Sequence, residues 1–124
     1  TVADLMHTGD ALPLTGPDAP MAETLLVMTE KRFGIVGIQD LDGRLLGVIT
    51  DGDLRRHMDG LMSRTAGEVM TPGPNKTVGP GQLASEALAL MADPAPGVHM
   101  LFVVEAGKPV GILHVHDLLR AGVM

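Results

Sequence analysis

Gly47-Val48-Ile49-Thr50-Asp51-Gly52-Asp53-Leu54-Arg55-Arg56 is the stretch on which the reading of this chain turns. Leu45, Leu46, Val48 and Ile49 make an apolar, partly β-branched run that reads as a buried strand. The run stops at a Thr-Asp-Gly-Asp turn, and Asp51 to Met58 then reads as a helix. A strand leading straight into a helix leaves the first helical N–H groups unpaired, with the positive end of the dipole behind them, and this suits a phosphate. Thr50 adds a hydroxyl donor, and Asp53 adds a carboxylate able to accept from two adjacent hydroxyls, as a ribose presents them. The same Thr50-x-x-Asp53 spacing also fits a capping box, in which both side chains serve only their own helix. From this stretch alone both readings stand.

Working outward, the stretch occurs twice. Gly43, Gly47, Asp53, Leu54 and Arg56 recur as Gly107, Gly111, Asp117, Leu118 and Arg120, 64 residues later. Leu5-Met6 recurs as Val69-Met70 at the same offset, and Glu23 and Met28 recur as Glu86 and Met91 at 63. A repeat over nearly the whole chain takes precedence over any local feature in assigning the fold. In the first copy, Ala11 to Leu14 is a short extended piece, and Met21, Leu25 and Met28 follow helical spacing. Ile35 to Gln39 and Leu45 to Ile49 form a hairpin across Asp40-Leu41-Asp42-Gly43, and Asp59 to Gly67 connects the copies. In the second, Thr77-Val78 is the extended piece, and Ala84, Leu88 and Met91 lie on the helix. Met100 to Val104 and Pro109 to Leu113 form the hairpin, and Val115 to Met124 the last helix. The expected class is therefore α/β (α+β): two β-α-β-β-α units, 1–64 and 65–124, packed with pseudo-two-fold symmetry around a shared core.

Composition narrows the function. The net charge of −6 and the absence of Tyr and Trp argue against nucleic acid as a partner. No apolar run approaches the ~20 residues that cross a bilayer, and no signal peptide is visible, so no membrane partner is expected. With no cysteine the chain has neither disulfides nor a thiol nucleophile, as befits a cytoplasmic protein. It opens on Thr1 rather than Met, as a piece of a longer polypeptide would. The core must come from aliphatic residues and nine methionines, since Phe33 and Phe102 are its only aromatics.

Two such units, each with Gly-hydrophobic-x-Thr-x-x-Asp or its variant at the last strand–helix junction, resemble a tandem pair of cystathionine-β-synthase (CBS) domains, a Bateman module. The resemblance covers essentially the whole chain. The blocks Thr50-Asp51-Gly52-Asp53-Leu54-Arg55-Arg56, Val69-Met70-Thr71-Pro72 and His114-Val115-His116-Asp117-Leu118-Leu119-Arg120-Ala121-Gly122 are similar to the C-terminal CBS pair of D-arabinose 5-phosphate isomerases. The resemblance implies a regulatory module without catalytic residues, attached to a sugar-isomerase (SIS) domain that makes arabinose 5-phosphate for Kdo and lipopolysaccharide synthesis. It also implies a nucleotide ligand, either AMP, ADP or ATP or the end product CMP-Kdo, and a homodimer through the helices. One departure is visible: two prolines in Asp93-Pro94-Ala95-Pro96-Gly97 end the helix early, and His99 stands where a small hydroxyl residue is common.

The ligand-binding residues expected on this basis are Thr50, Asp53, His114, Asp117, Lys76, Thr77 and His99. His114 replaces Thr50 in the second copy and is a poor helix cap, so the retention of Asp117 favours the ribose role over the capping one. Substituting Asp53 or Asp117 by alanine is accordingly expected to weaken nucleotide binding and leave the fold intact. His114-x-His116 with Asp117 also has the makings of a metal site, but three ligands at this spacing need outside help to complete a tetrahedron. A neutral His114 lining a pocket is the preferred reading, with no metal. The alternative to a sensor is a ligand-free dimerisation module.

Overall fold

The computed structural model describes residues 1–73, 75–93 and 97–123. It shows two compact units, one built from Pro13–Asn75 and the other from Thr1–Leu12 together with Lys76–Met124. The sequence copies meet at 64/65, whereas each unit takes its opening segment from the other copy.

In the Pro13–Asn75 unit, β1 (Leu14–Thr15) runs parallel to β2 (Ile35–Gln39), and β2 pairs antiparallel with β3 (Leu45–Thr50). A fourth strand, β4 (Thr71–Pro72), pairs antiparallel with the other edge of β3, setting Gly47 opposite Pro72 and Val48 opposite Thr71. The β2–β3 turn closes on Asp40, whose carboxylate accepts from the backbone N–H groups of Asp42 and Arg44 at 2.9 Å, with Gly43 at φ 84°. Helix α2 (Met21–Lys31) lays Met21, Thr24 and Met28 inward, and α3 (Asp51–Arg56) leaves the sheet directly from β3. The core joins Met21, Met28, Val36, Ile38 and Ile49 to Ala66 and Val69 of α4 (Ala66–Val69).

The other unit repeats the plan. Strand β5 (Thr77–Val78) is parallel to β6 (Met100–Glu105), which pairs antiparallel with β7 (Lys108–His114). Ala106 and Gly107, at φ 53° and 80°, make the tight turn between them. Helix α5 (Ala84–Ala92) buries Ala87 and Met91, and α6 (Val115–Arg120) buries Leu118. The core also takes in Val2, fully buried, from α1 (Val2–Leu5). A four-residue helix has no stability of its own, so α1 and α4 exist because these cores hold them.

The expected hairpins and longer helices are present, with α3 ending at Arg56 and α6 at Arg120, shorter than the periodicity implies. The extended piece expected over Ala11 to Leu14 is instead Leu14–Thr15, and Ala11 closes a 3-10 turn, Gly9–Ala11. The chain turns at Gly122, at φ 80°, soon after α6. Pro94, Ala95 and Pro96, expected to end α5 early, lie outside the described residues; α5 stops at Ala92. Among the described residues no helix is long and apolar enough to cross a membrane.

Candidate functional site

Each unit carries one carboxylate where the second strand of its hairpin runs into a helix, Asp53 at the β3–α3 junction and Asp117 at the β7–α6 junction; Asp53 is buried and Asp117 partly buried. Asp53, 2% exposed, is the third residue of α3, and its four lone-pair positions are all engaged. One oxygen accepts from the Thr50 backbone N–H at 2.9 Å and the Thr50 hydroxyl at 3.2 Å. The other accepts from the Arg56 guanidinium at 2.6 Å and from the hydroxyl of Thr71. Burial alone would raise this carboxyl, but the hydrogen bonds from Thr71, the Thr50 backbone, Arg56 and the Thr50 hydroxyl outweigh it and hold it below the usual carboxylate range.

Asp117 is the counterpart in the other unit. Its oxygens accept from the His114 backbone N–H at 2.9 Å and the Arg120 guanidinium at 2.9 Å, and both lie 3.1 Å from Nε2 of His7. Here too burial pushes upward, and the His114 backbone, His7 and Arg120 together bring the carboxyl below its ordinary range. His114 does cap α6: its Nδ1 accepts from the His116 backbone N–H at 3.1 Å. Nδ1 must be unprotonated to accept, and burial, with the neighbouring His116 ring, pushes the imidazole below its usual value, which favours the neutral form. The expectation that His114 leaves Asp117 without a capping partner is thus corrected. Both junctions are capped, and capping cannot separate the two copies.

Of the remaining expected residues, Thr77 opens β5 opposite Phe102, with Lys76 immediately before it. The exposed His99 precedes β6, and its carbonyl accepts from the Val115 N–H at 2.7 Å. His99 also borders a cavity of about 240 Å³ lined by Leu88, Met91, Val98 and Val115. In that unit His99, His114 and Asp117 are therefore gathered at one end of β6 and β7, while Thr50 and Asp53 stand together in the other. No group of three or more His, Asp or Glu side chains among the described residues is arranged to hold a metal. Periodicity did not find His7 and Thr71. His7 and Thr71 are 64 residues apart, as Asp53 and Asp117 are, which was the available signal, but each sits on a segment with no local reason to face a distant helix.

Since both carboxyls sit below the ordinary range in the folded chain, each contributes stability that is present above the carboxylate range, about pH 4, and lost as pH falls through the depressed value. The contribution of these two carboxyls to the melting temperature should be constant above about pH 5 and fall steeply below about pH 4. A calorimetric series showing no such fall would contradict this assignment of charge.

The CBS domain family matches residues 2–60 and 66–123. This chain is a pair of CBS domains. The pair is 46% identical over 127 residues to arabinose 5-phosphate isomerase KdsD of Pseudomonas aeruginosa, covering 99% of the chain. It spans 38% of the length of the curated relatives it matches. Among solved structures, CBSX2 from Arabidopsis thaliana is similar with a TM-score of 0.82 and 26% identity, covering 98% of this chain and 93% of that one. CBSX2 in complex with AMP is similar at the same TM-score with 28% identity, covering 98% and 95%. The CBS pair therefore has the fold of a regulatory module, and its homology to the CBS region of the isomerases extends over its whole length.

Proposed function

We propose that this CBS pair is the regulatory module of a cytoplasmic arabinose 5-phosphate isomerase in Kdo and lipopolysaccharide synthesis, and that it responds to a nucleotide. Catalysis belongs to a SIS domain of the same polypeptide. The observation that carries the reading is the duplicated strand-to-helix junction with its hydrogen-bonded carboxylate, in a chain similar to an AMP-bound CBS pair. Thr50 and Asp53 contact ligand in one unit, and Lys76, Thr77, His99, His114 and Asp117 in the other. Because every lone pair of Asp53 is engaged, a ribose must displace a donor, and the exposed Arg56 and Arg120 are the ones free to swing out. The displaced guanidinium is then available to the phosphate. A ligand that binds one state of the pair more tightly shifts the attached enzyme by that difference in affinity.

The ligand is an adenine nucleotide or CMP-Kdo, and a thermal-shift panel of AMP, ADP, ATP and CMP-Kdo separates them. One of them at a hundred times its dissociation constant should add about 2.7 kcal/mol, a shift of several degrees in Tm. A flat response to the whole panel would replace the sensor with a ligand-free dimerisation module, for which the exposed Leu26 of α2 and Leu119 of α6 offer apolar surface.

A further inference from the structure

Each junction carboxylate is completed by a residue from the other sequence copy. Asp53 is met by Thr71, near the head of the second copy, and Asp117 by His7, near the head of the first. Thr71 and His7 occupy the same place in the repeat, each directly after the methionine that closes its short helix. One is a hydroxyl that does not titrate near neutrality; the other is an imidazole. We propose that His7 is a proton-sensitive positioning residue for Asp117, gripping the opening segment onto its unit more tightly when protonated, while Thr71 gives the other unit no such response.

The geometry permits this directly. His7 is fixed at the edge of β7 by backbone hydrogen bonds in both directions with Ile112, at 2.8 and 2.9 Å. Its Nε2 faces both Asp117 oxygens at 3.1 Å, and the side chain is 41% exposed, so protons reach it. The N–H of a neutral ring already meets an ionised acceptor, and protonation adds a full positive charge at the same 3.1 Å, turning the hydrogen bond into an ion pair. Asp117 stays ionised throughout the histidine range, because its backbone, His7 and Arg120 donors outweigh its burial. The groups around the pair are Arg120, on the same carboxylate, and His114 and His116 at the start of α6, their ring centroids 4.5 Å apart. His99 acts on His114 from the start of β6. On the opening segment stand Asp4, held by the Thr1 ammonium at 2.8 Å, and Asp10. These are common to wild type and variant, so the effect is read as a difference.

The test compares wild type, His7→Thr and Thr71→His by melting temperature at about pH 8 and about pH 5.5, on either side of the ordinary histidine value. Between those two conditions, acidification should widen the gap between wild type and His7→Thr by about 2–4 °C. Thr71→His, which installs the imidazole opposite Asp53, should gain on wild type by a similar amount. A constant gap, or a Thr71→His variant that tracks wild type, overturns the proposal. If His7→Thr does not fold, Thr71→His decides alone. No nucleotide is needed, so failure here leaves the ligand question untouched.

Discussion

Replacing Asp53 by alanine is expected to lower the stability of this chain by about 2–4 kcal/mol, a large part of what a small domain has to lose. The carboxylate is buried, and its loss leaves the half-buried Thr50 N–H without its acceptor, cuts the tie to the Thr71 hydroxyl and removes the acceptor for Arg56. Arg56 returns to water at little cost because it is largely exposed. The penalty therefore comes from the helix start and from the tie between β4 and α3. Asp117→Ala should cost less, about 1–2 kcal/mol, since His7 and Arg120 are both solvent-accessible once released. Urea denaturation of both variants measures the pair of values; equal costs would mean that the two junctions are not held as described. The expectation that Asp53→Ala leaves the fold intact is revised accordingly, and Asp117 is the better position for separating binding from folding.

Gly47→Ala should be nearly as damaging, at about 2–3 kcal/mol, from overpacking against backbone. A Cβ at Gly47 would meet the Thr71 carbonyl oxygen at 2.5 Å, the Met70 sulfur at 2.9 Å and the Pro72 Cα at 3.0 Å. Two of these three belong to the main chain of β4, which must then leave the edge of β3 and take Thr71 away from Asp53. The equivalent Gly111→Ala chiefly meets the Met6 side chain, whose flexible end can move, although the His7 carbonyl oxygen lies 3.1 Å away. It should cost about half as much, and thermal melts of the two variants side by side check the ratio. A Gly111 variant as unstable as the Gly47 one would show that Met6 is not free to yield.

The hairpins, the long helices and the junctions were legible because each is written locally. Val36, Ile38, Ile49, Leu101, Val103 and Leu113 are buried strand positions, and the turn residues Asp40, Gly43 and Gly107 punctuate them where the chain reverses. The short helices α1 and α4 were not. Four residues carry no usable period, and their buried Val2, Ala66 and Val69 read as ordinary small apolar residues. The repeat displayed Met6 and Met70 as equivalents, yet equivalence says nothing about which unit a segment joins. The carboxylates were located correctly in sequence, but their saturation was invisible: the donors from Thr71 and His7 arrive from segments 18 and 110 residues away. His114 misled for a different reason, since ring nitrogens cap helices too rarely to be expected from spacing.

The exchange of opening helices imposes a timetable on synthesis. Once Asn75 has emerged, the Pro13–Asn75 unit has all of its parts and can close, whereas Val2 and His7 must wait for Ile112 and Asp117, which are made later. During that interval α1 has no partner, and its apolar side is open to any chaperone or neighbouring chain. A cut between the two sequence copies would make the vacancy permanent, handing each fragment the helix that belongs to the other.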